Sequence, residues 1–315
     1  MSGKYATETL RANQAGIDRA GEILRGGGLV AVPTETVYGL AARADSAAAV
    51  ARIYEAKGRP SFNPLIVHVA SLEQARAFAM FDAQAERLAA QHWPGPLTLV
   101  LPLREGNGLA PAVTAGLDTV ALRMPAHPVM RALLGQTGLP LAAPSANRSG
   151  FISPTSATHV LASLDERIEA VLDGGECERG LESTIAAIRG NGRVEILRPG
   201  PVLLSADASA GSTIEAPGQM ASHYSPGKPM RLDLAEVAPD DFVIGFGPVQ
   251  GDCSLSESGD LAEAAARLYA CLHAAALSKK PRIAVAPIPA QGIGVAINDR
   301  LRRAATPPDQ SSSGS

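Results

Sequence analysis

The stretch KGRPSFNPLIVH, residues 57–68, is the part of the sequence that best predicts the fold. Pro60 stops any helix that precedes it. The apolar residues at the end of the stretch are typical of a buried strand. The glycine between Lys57 and Arg59 lets the backbone approach a ligand, and these two cations suit phosphate oxygens. The stretch therefore predicts a helix, a cationic turn and a strand, although a solvated surface turn would carry the same letters.

Strands and helices are predicted to alternate on both sides of this stretch. Strands are expected at 29–32, 65–69, 98–101, 119–122, 139–142, 171–172, 184–188 and 194–197. Helices are expected at 15–25, 47–56, 72–91 (as one or two helices), 127–134 and 156–164. Such alternation, with some strands adjacent in sequence, indicates an α/β fold with an open, twisted, mixed sheet and flanking helices.

The composition changes after the last of these strands. Residues 1–200 are predicted to form one large domain, 201–229 a Pro/Gly/Ser-rich linker of the length that is often functional, and 230–308 a small C-terminal α/β domain. In the small domain, strands are expected at 230–234, 242–246 and 283–287, with helices at 261–277 and 298–305, as in a Rossmann-like unit. The tail, 309–315, is expected to be disordered.

Composition limits the classes of function. The chain has 46% hydrophobic and 19% charged residues, and its net charge of −3 gives no broad basic surface for stable nucleic-acid binding. No apolar run is long enough for a membrane span, and no signal peptide is evident, so a cytoplasmic location is expected. Cys177, Cys253 and Cys271 fit neither a disulfide framework nor a metal site, and buried free thiols are expected.

Polar residues recur where the predicted strands end. PTETVYG from Pro33 contains Thr34, TVALRMP from Thr119 contains Arg123, and APSAN from Ala143 contains Ser145. ESTI from Glu182 contains Ser183, and LRPG from Leu197 contains Arg198. Ligands of open α/β sheets bind at such ends, and arginine forms a bidentate clamp for a carboxylate. Each motif alone also fits a self-bonded turn or a surface ion pair, and His68 alone fits either a core residue or a catalyst.

Together with NPLIVH and with WPGPLT from Trp93, these segments resemble the threonylcarbamoyl-AMP synthases, or YrdC-like family, over roughly residues 15–200. The segment SHYSPG from Ser222 and the extra domain resemble the long, two-domain form. The resemblance implies synthesis of L-threonylcarbamoyl-AMP from L-threonine, bicarbonate and ATP, with Mg²⁺ accompanying ATP and pyrophosphate released. A separate tRNA threonylcarbamoyl transferase complex would then modify an adenosine next to the anticodon.

Site residues follow from the resemblance by motif. The L-threonine side would be formed by Thr34, His68, Arg123, Ala143 and Ser183. The ATP side would be formed by Lys57, Arg59, Asn63, Thr119, Ser145, Ser153, Arg198 and Tyr224, with Lys57 and Arg59 as the catalytic cations and no protein-held metal.

Two alternatives remain at this point. The hydrogenase-maturation carbamoyltransferases contain a similar domain, but they also carry paired Cys-x-x-Cys motifs, which this sequence lacks. An RNA-binding module with a concave basic site would bind RNA with a steep salt dependence and would not require threonine.

Overall fold

The computed structural model describes residues 6–190, 192–205, 215–220, 222–233 and 238–307, so the predicted tail at 309–315 lies outside the described residues. The larger sheet contains β1 (Glu8–Arg11), β2 (Val30–Val32), β3 (Gly39–Arg43), β4 (Ile66–His68), β5 (Leu97–Pro102), β6 (Thr119–Arg123), β7 (Leu141–Ala142), β8 (Ala170–Asp173), β9 (Thr184–Ile188) and β10 (Val194–Arg198). The helices beside it are α1 (Gln14–Arg25), α2 (Ala47–Lys57), α3 (Leu72–Phe78), α4 (Ala83–His92), α5 (Pro128–Thr137) and α6 (Ala157–Leu164).

The ten strands form one mixed sheet, in the order β1-β8-β2-β3-β7-β4-β6-β5-β9-β10. Strand β4 runs parallel to β6 and antiparallel to β7, and β5 runs parallel to β9. The main hydrophobic cluster lies between this sheet and helices such as α2 and α4. The predicted open, mixed α/β sheet is therefore confirmed.

Local sequence signals explain where the helices begin and end. The side chain of Asn13 caps α1 by accepting a hydrogen bond from the Gly16 amide, and Ser156 caps α6 in the same way with the His159 amide. Helix α2 ends at Gly58, whose φ of 59° lies in the left-handed region that glycine adopts without strain. This turn directs the chain from α2 through the cationic stretch towards β4.

The C-terminal residues form a second, four-stranded sheet. Its strands are β11 (Met230–Arg231), β12 (Asp241–Gly245), β13 (Cys253–Ser254) and β14 (Arg282–Val285), in the parallel order β11-β14-β12-β13. Helices α7 (Leu261–Leu277) and α8 (Gly294–Ala305) pack on it. The small α/β domain is confirmed, and within the described ranges no helix is both long and apolar enough to cross a membrane.

Three expectations need correction. Cys253 and Cys271 form a disulfide with their Cα atoms 5.9 Å apart, because β13 lies beside α7; only Cys177 fits the expected buried thiol. Strands β1, β3 and β13 were not expected. Helix α8 begins at Gly294, earlier than the predicted start near residue 298.

Helix α7 of the C-terminal domain packs against the larger domain. Gly180 has a φ of 65°, and a Cβ there would lie 2.3 Å from the Ala266 carbonyl oxygen of α7. Nearby, the rings of His159 on α6 and His273 on α7 stack with centroids 3.8 Å apart. The backbones of α7 and the larger domain are therefore in direct contact at Gly180.

Candidate active site

One cavity lies where several strands of the larger sheet end. It has a volume of about 530 Å³ including its mouth, and it is lined by Thr34, Thr36, Val37, Gly39, Arg59, Ile66, His68, Arg123, Ala143, Pro144, Ser145, Glu182, Ser183, Arg198, Pro217, Gly218, His223 and Tyr224. A concave site lined by apolar residues and a few convergent polar groups is typical of binding sites for small ligands. We refer to it as the central cavity.

Strand register brings separate motifs to this cavity. His68, the last residue of β4, pairs with Arg123, the last residue of β6, and also with Leu141 at the start of β7. Ala143 and Ser145 then follow β7, and Ser183 immediately precedes β9. Residues far apart in sequence are thus placed side by side, as expected for the ends of strands in an open sheet.

Arg123 is the centre of a buried polar group on one side. Its Nη2 lies 2.5 Å from Glu35 Oε1, its Nη1 donates to Thr36 Oγ1 at 2.9 Å, and its Nε donates to the Gly95 carbonyl at 3.2 Å. Burial alone would raise the pKa of Glu35, but the adjacent Arg123 guanidinium brings this pKa below its ordinary value. Arg123 is therefore fixed in orientation as a cation at the cavity wall.

Two smaller polar groups accompany Arg123. The Thr34 hydroxyl donates to the Val37 carbonyl at 2.7 Å and lies 2.8 Å from the Thr36 hydroxyl. His68 is 2% exposed, burial lowers its pKa to about 3, and its Nδ1 has no protein partner. His68 thus combines the two interpretations of the sequence: it is a buried residue that presents a neutral imidazole to the cavity.

Arg59 and Arg198 form a cationic side of the cavity. Arg59 Nη2 donates to Asn63 Oδ1 at 2.6 Å and to the Pro64 carbonyl at 2.8 Å. Arg198 donates through Nε and Nη2 to the Ser183 carbonyl, at 3.1 and 3.0 Å. Burial lowers the pKa of both guanidinium groups, that of Arg59 to about 10, and each remains a cation at neutral pH.

Lys57 supports this side from behind the cavity wall. Its ammonium donates to the Ser145 carbonyl at 2.6 Å and also to the Asn147 carbonyl. Burial, followed by the charge of Arg59, lowers the pKa of Lys57 well below its usual value. In this structure the residue holds the turn after β7, so its predicted contact with a ligand stays a prediction.

Three other predicted residues also lie outside the cavity lining. Asn63 orients Arg59, and the Ser153 hydroxyl donates to Glu182 Oε1 at 2.6 Å. Thr119 begins β6, whereas Arg123 ends it, so Thr119 lies at the far end of that strand from the cavity. Direct ligand contacts of these three residues remain predictions.

The segment after β10 closes part of the cavity. Pro217, Gly218, His223 and Tyr224 line it, and Tyr224 is only 1% exposed. At Gly218, where φ is 85°, a Cβ would lie 3.0 Å from the Tyr224 hydroxyl oxygen. The backbone therefore needs glycine at this position to lie against Tyr224.

Several lining residues were not predicted as site residues. Thr36, Glu182 and His223 occur within motifs quoted from the sequence, and so does Glu35, which pairs with the lining residue Arg123; the motifs gave no reason to prefer these residues over their neighbours. They are recognised as site residues only in three dimensions, because each contacts or faces a residue from another element of the fold. Within the described ranges, no group of three or more His, Cys, Asp or Glu side chains could hold a metal ion.

Comparisons with known proteins agree over most of the chain. A family described as Telomere recombination matches residues 22–200, and one described as Threonylcarbamoyl-AMP synthase, C-terminal domain, matches residues 165–306. The chain is 39% identical over 332 residues to the Threonylcarbamoyl-AMP synthase of Bacillus subtilis, with 95% of each chain covered. It is 40% identical to that of Pyrococcus abyssi, with 90% of this chain and 92% of the relative covered.

A solved structure extends the likeness to three dimensions. The crystal structure of Pyrococcus abyssi Sua5 complexed with L-threonine superposes with a TM-score of 0.86 at 36% identity. The match covers 95% of this chain and 97% of that one, including both sheets. The two-domain architecture is therefore shared with this relative.

Proposed function

This chain belongs to the threonylcarbamoyl-AMP synthase family of enzymes, and we propose that it makes L-threonylcarbamoyl-AMP from L-threonine, bicarbonate and ATP and releases pyrophosphate. The observation that carries the proposal is the central cavity, in which Arg123 lies on one side and Arg59 with Arg198 on the other. One side suits the carboxylate of an amino acid, and the other suits a polyphosphate. The Pyrococcus abyssi relative in complex with L-threonine supports this choice of amino acid.

The reaction needs two bond-forming steps. The threonine amine first attacks the carbon of bicarbonate, and loss of water leaves an N-carboxylate, a carbamate. A carbamate oxygen then attacks the α-phosphorus of ATP in line, and the bond from that phosphorus to the bridging oxygen breaks, so that pyrophosphate leaves. Orientation and charge neutralisation accelerate both steps, which explains why no protein nucleophile is required.

The threonine side would act mainly by orientation. Arg123, fixed by Glu35, would bind the carboxylate of threonine. The neutral His68 would accept a hydrogen bond from an N–H or O–H group of the substrate. Thr34, Ala143 and the Ser183 hydroxyl would surround the side chain. A site that contacts both the hydroxyl and the methyl group would reject valine more strongly than serine.

The ATP side would act through charge. Three arginines, Arg59, Arg123 and Arg198, line the cavity, and Glu182 is the carboxylate in its lining, so the net charge of the wall favours an anion. We propose that Mg²⁺ enters with ATP and is held by phosphate oxygens, since Glu35 and Glu182 are already paired with arginines. Lys57 would keep the turn at Ser145 in place beside the phosphates.

The segment with Tyr224 would cover the reactants and exclude water from a labile product. Residues 1–200 would then be the catalytic unit, 201–229 its cover and 230–308 an accessory domain. The product would pass, in the cytoplasm, to a tRNA threonylcarbamoyl transferase complex. No observation favours an RNA-binding module or a hydrogenase-maturation carbamoyltransferase.

The test is direct detection of the product. The chain is incubated with Mg²⁺, ATP, L-threonine and ¹³C-bicarbonate, and the adenylate is identified by mass spectrometry together with pyrophosphate release. We expect a ¹³C-labelled threonylcarbamoyl adenylate that disappears when threonine is omitted. Pyrophosphate release that is independent of threonine, or the absence of a labelled adenylate, would contradict the proposal.

A further inference from the structure

A buried ion pair connects the wall of the central cavity with the C-terminal domain. Glu182 lies just before β9 and lines the cavity, and its Oε2 lies 3.0 Å from Nε of Arg300 on α8. The side chains are 7% and 0% exposed, respectively. A pair so deeply buried is a weak source of stability, because desolvation offsets most of the attraction between the charges. Because the pair lies at the wall of the central cavity, we look for its role in ligand binding rather than in stability.

Arg300 also contacts the segment that covers the cavity. Its guanidinium carbon lies 5.5 Å from the centre of the Tyr224 ring, within the range of a cation–π interaction. Helix α8 holds the same segment through the backbone, since the His223 amide donates to the Arg303 carbonyl at 3.2 Å. One residue of the C-terminal domain therefore contacts both the wall and the cover of the site.

Glu182 would be an unfavourable neighbour for a polyphosphate without Arg300. Its carboxylate accepts hydrogen bonds from the Ser153 hydroxyl at 2.6 Å and the Tyr269 hydroxyl at 2.8 Å, but these neutral donors leave its charge in place. The titratable and charged groups that face Glu182 are Arg198 from β10, Tyr269 from α7, Arg300 with Asp299 from α8, and His223 with Tyr224 from the covering segment. Of these, Arg300 alone forms an ion pair with Glu182 within the described ranges.

We propose that Arg300 is a positioning residue for ATP: it neutralises Glu182 at the cavity wall and keeps Tyr224 over the bound nucleotide. The inference rests on the proposed function, because it takes ATP as the ligand of the cationic side. With Arg300 present, the positive charge of Arg198 and Arg59 is available to the triphosphate. Without it, Glu182 would either repel the triphosphate or attract Arg198 away from it.

The experiment compares Arg300→Met, Glu182→Gln, the Glu182→Gln/Arg300→Met double variant and the control Arg302→Met on the exposed face of the same helix. We expect Arg300→Met to raise KM for ATP by at least about tenfold near pH 8, while KM for threonine changes by less than about threefold. The double variant should return KM for ATP to within about threefold of the wild-type value, because its buried pair is replaced by neutral groups. The remaining difference measures the loss of the contact between Arg300 and Tyr224.

The dependence on pH separates this role from simple support. Burial would raise the pKa of Glu182, but Arg300 above all brings it to about 2, so the wild-type carboxylate stays ionised in any ordinary assay. In Arg300→Met this pKa should rise, so that Glu182 becomes neutral at the acidic end of the assay. The ratio of KM for ATP between Arg300→Met and Arg302→Met should therefore fall as the pH is lowered from about 8 to about 6.

Two comparisons decide between the proposal and simple structural support. An equal rise of both KM values in Arg300→Met, independent of pH and not reversed in the double variant, would overturn the proposal. If Arg300→Met does not fold, the double variant alone decides: near-normal KM for ATP supports the proposal, and a large increase overturns it. The same comparison is made by calorimetry with a non-hydrolysable ATP analogue and Mg²⁺, so failure of wild-type product formation would be recognised separately from failure of the Arg300 effect.

Discussion

Arg59→Met is the substitution that tests the cationic side of the central cavity most directly. Arg59 is 9% exposed, and hydrogen bonds from Nη2 to Asn63 Oδ1 and the Pro64 carbonyl, at 2.6 and 2.8 Å, hold its guanidinium against the cavity wall. A ligand phosphate would therefore meet a group that needs no rearrangement. Preorganised charges of this kind contribute most when charge develops in the transition state.

The expected size of the effect follows from this geometry. Opposite unit charges about 4 Å apart attract by about 4 kcal/mol at an effective dielectric constant of about 20. Removing a single preorganised donor from a comparable site costs about 2.7–4 kcal/mol. We therefore expect Arg59→Met to lower kcat/KM for ATP by about 100- to 1,000-fold, with KM for threonine nearly unchanged.

The assay is threonine-dependent pyrophosphate release, with Arg148→Met as an exposed control near the site. The free energy of unfolding in urea should change by less than about 2 kcal/mol, because two effects oppose each other. The substitution removes hydrogen bonds of Arg59, but it also removes a buried cation that repels Lys57 and lowers its pKa. A loss of less than about tenfold in kcat/KM, or an equal loss in Arg148→Met, would refute the reasoning.

Three further outcomes are expected. Arg123→Met should lower the free energy of unfolding by about 3–5 kcal/mol, because Glu35 would stay buried without its partner; Glu35→Gln/Arg123→Met should recover most of that stability in urea but still fail to bind L-threonine in calorimetry, and wild-type affinity would contradict the role of Arg123. Burial and then a neighbouring imidazole lower the pKa of His273 from 6.5 to about 4, so the unfolded chain binds a proton that the folded chain does not, and stability should be lost as the pH falls from about 6.5 through about 4; urea titrations of His273→Gln should show a shallower loss, and an unchanged slope would exclude this group as the cause. Gly218→Ala should lower kcat by about tenfold or more in the pyrophosphate assay, because φ is 85° and the new Cβ would lie 3.0 Å from the Tyr224 hydroxyl oxygen; full activity would show that the cover adjusts without loss.

The sequence predicted those elements whose signals are local. Helix α1 forms where its apolar spacing predicted it, α2 ends before Pro60 as predicted, and the apolar run that ends at His68 is a buried strand. Strand β1 was missed because its four residues are mostly exposed at the sheet edge and lack an apolar pattern. Strand β3 begins directly at Gly39, after a motif typical of a turn, so its start gave no strand signal.

The candidate site was predictable only as far as motifs mark strand ends. Thr34, His68, Arg123 and Ser183 lie together because the register of the sheet aligns them. The pairing of Glu182 with Arg300 could not be predicted, because it depends on how α8 packs against the larger domain. The disulfide between Cys253 and Cys271 was missed for the same reason, since a spacing of 18 residues says nothing about whether two elements are neighbours.

The contact at Gly180 has a consequence for shorter members of the family. A side chain there would collide with the backbone of α7, so the second domain itself imposes glycine at that place. A chain that ends before α7 is released from this steric demand, and only the left-handed backbone would still favour glycine or asparagine. The residue at position 180 should therefore vary in single-domain homologues and remain glycine in two-domain ones, so that a sequence alignment alone would distinguish the two forms.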